Sequence, residues 1–341
     1  MTSVPSPVSP RSRSLSCDDV AGRALAEGGE KALIAWLTNQ TAGSSDVTVG
    51  IGDDAAVLDW SARDDLLVAV DTLVEGVHFD LASATPELVG RKALAVNLSD
   101  IAAMAGRPLA AFVAVTLPRD ADDNLAQKLH QGLIQLAEDF DVAIAGGDTT
   151  SGTGPLVISV TIIGESLSAG PVLRSGASPG DRLVVTGPLG YSLADHHLSF
   201  TPRLVESRIL AECGGLHAMI DLSDGLSTDL DHLLSASGVA AVVEARSLPI
   251  REIAGAPHDG RTPLAHAISD GEDFELLAAV APDALAKLLQ DDSTGISLFD
   301  IGEVTTGEGA CLLMPDGRRV PMVASGYEHD VPGSRPSSPP A

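Results

Sequence analysis

Acidic residues in this chain gather at the ends of apolar runs, beside Gly, Ser or Thr. They read Gly52-Asp53-Asp54, Asp71-Thr72, Asn97-Leu98-Ser99-Asp100, Gly146-Gly147-Asp148-Thr149-Thr150 and Asp221-Leu222-Ser223-Asp224-Gly225. Carboxylates so placed stand where a strand or helix opens into a cleft, and the neighbouring glycines let a ligand approach the backbone. Hard oxygen donors of this kind suit Mg²⁺, which keeps several waters and shares phosphate oxygens with its substrate. If these segments converge, they make a phosphate centre holding several magnesium ions. Each also has a plain structural reading, since Asp-Gly and Gly-Asp pairs make turns and Asp224 could simply cap a helix starting near Leu226. Asp100 resists that reading. Residues 93–105 around it are otherwise nearly all small or apolar, so its charge needs a partner or a metal.

The bulk properties narrow the class. With 341 residues, 44% of them apolar, the chain can form two cores of ordinary size. Its net charge of −26 leaves no basic footprint for a nucleic acid and would repel phosphate substrates too, unless divalent cations intervene. Cys17, Cys213 and Cys311 are odd in number and far apart, which argues against a disulfide framework and a zinc cluster and fits a reducing, cytoplasmic compartment. No run of 18 uninterrupted apolar residues exists, so no membrane association is expected. Residues 1–16, rich in Ser and Pro, read as a disordered tail that cannot serve as a secretory signal.

The elements that must position the acidic motifs follow from periodicity. Residues 19–37 have helical spacing, as do 86–105 and 121–140, and strand-like runs fall at 47–51, 66–70, 110–117, 142–145 and 156–163. A Ser, Gly and Pro-rich loop at 165–181 separates these from a second mixture. That one has strand-like runs at 183–185, 239–243, 274–280 and 296–301, a helix from about Leu226 and another at 282–290. The expectation is an α/β (α+β type) chain with a tail at 1–16, domains at 17–165 and 166–331, and a frayed end at 332–341.

Other phosphate machinery is missing. There is no Gly-x-x-x-x-Gly-Lys-Ser/Thr loop, no kinase-type catalytic-loop set and no Gly-x-Ser-x-Gly elbow. Lysines are scarce near the acidic motifs, so charge neutralisation would fall to metal, helped by arginines such as Arg174.

Eight segments follow one another along the chain: Gly50-Ile51-Gly52-Asp53-Asp54, Asp71-Thr72-Leu73-Val74-Glu75-Gly76-Val77-His78-Phe79, Lys92-Ala93-Leu94-Ala95-Val96-Asn97-Leu98-Ser99-Asp100, Gly146-Gly147-Asp148-Thr149-Thr150, Arg174-Ser175-Gly176, Asp221-Leu222-Ser223-Asp224-Gly225, Gly271-Glu272-Asp273-Phe274-Glu275 and Gly326-Tyr327. In this order they resemble thiamine-monophosphate kinases. The resemblance implies two domains of the aminoimidazole-ribonucleotide-synthetase-like fold, an N-terminal domain that forms a homodimer, and direct Mg²⁺-assisted transfer from ATP to thiamine monophosphate. By position it implies Mg²⁺ ligation by Asp54, Asp71, Asp100, Asp148, Asp221 and Asp224. It likewise implies ATP contacts from Gly147, Asp148, Arg174 and Ser223, and thiamine phosphate contacts from His78, Glu272 and Tyr327. No general base is expected, because a phosphate oxygen is already deprotonated near neutral pH.

Two departures from the family pattern stand out. Ala69 and Val70 replace the hydroxyl residues usual before the aspartate, and the segment between Gly190 and Thr201 lacks much of a helix, a shortening that could loosen the second domain or alter ATP access. A different superfamily enzyme would turn over ATP without thiamine phosphate. A catalytically weak homologue would bind Mg–ATP and transfer nothing.

Overall fold

Thr85-Pro86-Glu87 opens the helix on which the architecture depends. The Thr85 hydroxyl accepts the Leu88 N–H and Pro86 fills the first turn, where a missing N–H costs nothing. In the computed structural model the described residues are 36–37, 39–40, 47–49, 57–58, 60, 65–122, 124–167, 170–194, 196–253 and 259–327. Asp54, the tails at 1–16 and 332–341, and all of the lead-in helix at 19–37 except its last residues lie outside them.

In the first half the elements are β1 (Val47–Val49), β2 (Val57–Leu58), β3 (Leu66–Val74), α1 (Pro86–Ala103), β4 (Gly106–Pro118), α2 (Leu125–Asp139), β5 (Ala143–Gly152) and β6 (Val157–Ser166). Four of these strands make a sheet in the order β3-β6-β4-β5, antiparallel except for β4–β5. The second half holds β7 (Arg182–Val185), α3 (His196–Ser199), α4 (Leu204–Glu212), β8 (Leu216–Asp221), α5 (Leu226–Ser237), β9 (Ala240–Glu244), α6 (Pro263–Ser269), β10 (Leu276–Val280), α7 (Pro282–Leu288), β11 (Phe299–Thr305), β12 (Gly309–Leu313) and β13 (Arg319–Met322). Its seven-stranded sheet runs β13-β12-β9-β11-β7-β10-β8.

Apolar or small on almost every face, α1 is buried on almost every face. Its outer side crosses α2 so closely that a Cβ on Gly90 would fall 1.8 Å from the Leu129 carbonyl oxygen. Its C-terminal end leaves the first core. Ala102 and Ala103 pack with Val184, Leu210, Met219 and Leu276 of the second half, and Ser207 donates to the Ala102 carbonyl. One helix therefore belongs to both halves.

Two expectations change. Asp71-Thr72 and Gly146 to Thr150 do not follow their strands but lie within β3 and β5, because β6 pairs with β3 as far as Val74 and β4 pairs with β5 as far as Gly152. The shortened segment after Gly190 is not loose: it forms a 3₁₀ turn at Ser192–Ala194 and then α3, with Leu198 and Phe200 buried in the first core and Phe200 stacked on Phe274 at 4.3 Å. Apolar anchors hold it where helix length does not. No helix among the described residues is long and apolar enough to cross a membrane.

Candidate active site

A cavity of about 450 Å³ opens where the two halves meet. Its wall takes Asp71, Thr72 and Leu73 from β3, Val77 and His78 from the turn after it, and Val96 and Asp100 from α1, where the spacing of four puts both on one helix face. The second half adds Leu193, Asp221, Ser223, Asp224, Asp270, Glu272, Phe274 and Tyr327. Of the residues picked out from the sequence, Asp71, Asp100, Asp221, Asp224, Ser223, His78, Glu272 and Tyr327 thus share one space. Arg174 lines a second cavity of about 420 Å³ that also contains Asp100 and Asp221, while Gly147 and Asp148 line neither.

Backbone pairing extends β8 and β10 into the loops that carry these groups. Leu222 N–H donates to Glu275 O at 2.8 Å, Phe274 N–H to Leu222 O at 2.8 Å and Glu272 N–H to Ser223 O at 2.7 Å. Glu272 and Phe274 are held at φ of 52° and 49°, left-handed values that cost a non-glycine residue on the order of 1–3 kcal/mol. Tyr327 arrives by a second docking. Gly326 N–H donates to Thr228 Oγ1 and Tyr327 N–H to Asp224 O, a fit so close that a Cβ on Gly326 would sit 1.9 Å from that oxygen.

The N-cap of α5 is Gly225, one residue beyond Asp224. Asp229 does the bracing: its Oδ2 accepts the N–H groups of Asp224 and Gly225 at 3.1 and 3.0 Å. Sequence reasoning missed Asp229, although an acidic residue on the apolar side of a short helix was a usable signal.

Electrostatically the cavity has two ends. At one, burial raises the Asp71 carboxyl above its usual range. Asp100 and Asp221 are raised too, first by burial and then by neighbouring carboxylates, with Arg174 opposing; Ser99 Oγ donates to Asp221 Oδ2 at 2.7 Å and also opposes the rise there. Burial, then Asp221 and Asp224, pushes Asp229 up to about 8. At the other end burial would raise Glu272, but hydrogen bonds and charge from His197 and Lys92 outweigh it and hold the carboxyl below its usual value. Lys92 opens the motif that ends at Asp100, but the sequence alone assigns it no role.

Among the described residues no group of three acidic, His or Cys side chains closes on one point tightly enough to hold an ion unaided. The aspartates instead stand apart around one wall. That donor set fits Mg²⁺, which needs one or two carboxylates at a time and fills the rest of its shell with water and phosphate oxygens.

Asp148 faces elsewhere. Asp71, Val160, Val113 and Gly147 form one row across the sheet, on the face covered by α1, and Thr72, Ser159, Ala114 and Asp148 form the next row, on the opposite face. Val70 belongs to that opposite face as well, so it could not have turned a side-chain oxygen toward the Asp71 side.

The sequence pattern described as "AIR synthase related protein, N-terminal domain" matches residues 52–166, and "AIR synthase related protein, C-terminal domain" matches residues 178–312. A thiamine-monophosphate kinase of Rhodopirellula baltica is 40% identical over 309 residues, covering 88% of this chain and 97% of the relative. Among solved structures, the thiamine-monophosphate kinase of Stenotrophomonas maltophilia K279a superposes with a TM-score of 0.72 at 36% identity, covering 86% of this chain and 98% of that one. "AaThiL complexed with AMPPCP and TMP" superposes with a TM-score of 0.67 at 27% identity, covering 89% and 97%.

Proposed function

The chain belongs to the thiamine-monophosphate kinase family, and from that membership we propose that it transfers the γ-phosphoryl group of ATP to thiamine monophosphate, giving thiamine diphosphate and ADP. The observation that carries this is the cavity that joins Asp71, Asp100, Asp221 and Asp224 to His78, Glu272 and Tyr327. The relative complexed with AMPPCP and TMP supports a nucleotide and a monophosphate as its two occupants.

Asp71, Asp100, Asp221 and Asp224, with Asp54 and Asp148, would hold Mg²⁺. Bound there, the metal would neutralise the phosphate oxygens of both substrates and align donor with acceptor. Gly147, Asp148, Arg174 and Ser223 would contact ATP, while His78, Glu272 and Tyr327 would contact thiamine monophosphate. His78 Nδ1 accepts the Val74 N–H at 3.0 Å, which leaves the proton of the neutral ring on Nε2. His78 is thereby cast as a substrate contact and not as a proton acceptor, in keeping with an acceptor phosphate that needs no base.

A homodimer joined through the N-terminal domain accompanies this reading, with domains at 17–165 and 166–331 and a cytoplasmic location. Leu66, Val68 and Val70, which are 52%, 58% and 61% exposed, form an apolar row on the sheet face that also carries Asp148. Pairing two such faces would bury the row and place each Asp148 against the partner's sheet. The test of function is purified protein with ATP, Mg²⁺ and thiamine monophosphate, following thiamine diphosphate and ADP together. Equal amounts of both, lost without Mg²⁺, are expected; ATP consumption with no thiamine diphosphate would sink the reading.

A further inference from the structure

Lys92 is fully buried, on a helix shared by both halves. Its ammonium donates to the His78 carbonyl oxygen at 2.7 Å and to Glu272 Oε1 at 2.8 Å, and lies 2.9 Å from His197 Nδ1. With its proton on Nδ1, His197 donates to the second Glu272 oxygen, Oε2, 3.1 Å away. Both oxygens of Glu272 are therefore engaged from behind the cavity wall, and the backbone of His78 is tied to the same ammonium.

His197 comes from the short helix α3, within the segment whose abbreviation raised doubt about the second domain. That helix is pinned by Phe200 stacked on Phe274, and Phe274 itself lines the cavity. Behind the two residues assigned to the acceptor substrate there is thus a built support.

We propose that Lys92 and His197 are positioning residues for the acceptor substrate. They fix the Glu272 carboxylate and the His78 turn, and so set the affinity for thiamine monophosphate independently of ATP. This rests on the kinase reading above. A buried carboxylate held on both oxygens keeps one geometry, whereas one released from a partner must reorient each time substrate binds, at a cost in affinity.

The test is steady-state kinetics on His197→Leu and His197→Asn in the full-length protein, varying each substrate with the other saturating. The Leu variant removes the ring nitrogen. The Asn variant offers an amide group near the position of Nδ1. For His197→Leu the expected result is a KM for thiamine monophosphate raised at least about fivefold, with the KM for ATP within about twofold and kcat little changed, and substantial recovery in His197→Asn. An unchanged KM for thiamine monophosphate, equal rises for both substrates, or no recovery with Asn would overturn the proposal. Lys92→Met, which strands a half-buried carboxylate, is expected to melt at a lower temperature than the double variant Lys92→Met/Glu272→Gln, and the reverse order would count against the proposed pairing. If the wild type forms no thiamine diphosphate, the kinase reading fails and this proposal fails with it. An active wild type with the wrong pattern of KM changes refutes this proposal alone.

Discussion

The two ends of the cavity carry the same kind of group in opposite states. Asp71, Asp100 and Asp221 stand around one wall, where burial lifts all three above their usual range and neighbouring carboxylates add to the rise at Asp100 and Asp221. Glu272, in the same cavity, is held below its usual range by Lys92 and His197. The protein sets its own lysine against Glu272, whereas the proposed function would give the aspartates Mg²⁺ as their main counter-charge. An acidic chain can accept phosphate substrates on those terms, with metal at the transferring end and a preset geometry at the other.

Removing a carboxylate assigned to metal gives the largest effect. Asp100→Asn and Asp148→Asn are each expected to lower kcat by at least about 10²-fold with the fold retained, measured as thiamine diphosphate formation at saturating Mg²⁺. Co-expression of the two inactive chains sharpens the contrast between sheet faces. If Asp148 serves a site completed across a two-fold interface, mixed dimers hold one intact site, and about a quarter of wild-type activity should return. No return would mean that Asp148 acts within its own chain.

The next effect is on stability. The fold favours the protonated forms of Asp71, Asp100, Asp221 and Asp229, so the folded chain binds more protons than the unfolded one between their ordinary carboxyl range and the value of about 8 reached by Asp229. Stability from these groups therefore falls as pH rises through that window. Metal-free protein should melt lower at pH about 8 than at about 6, and Mg²⁺ should raise the melting temperature more at the higher pH. Asp100→Asn should flatten the slope, and a slope unchanged in that variant would remove Asp100 from the strained cluster.

Glu272→Gln, at the compensated end, should have the smallest effect. The KM for thiamine monophosphate is expected to rise about tenfold with nucleotide binding nearly unchanged. Equal losses for both ligands would erase the distinction between the two ends.

Motif spacing alone placed the chain in its family, because Asp100 in an apolar stretch and the ordered acidic segments are local facts of sequence. Helices at 86–105 and 121–140 were legible for the same reason, since the signals that form and start a helix lie within a few turns of it. Tertiary structure decided the rest. Whether Asp71 and Asp148 share a face depends on strand register across the whole sheet, and a shift of one residue would reverse it. Lys92 meets Glu272 across 180 residues and His197 across 105, distances at which no local pattern carries information. The shortened segment looked like a weakness in sequence, where missing residues can be counted. Only packing could show that Leu198 and Phe200 anchor what remains, because burial is a property of neighbours that the linear chain does not name.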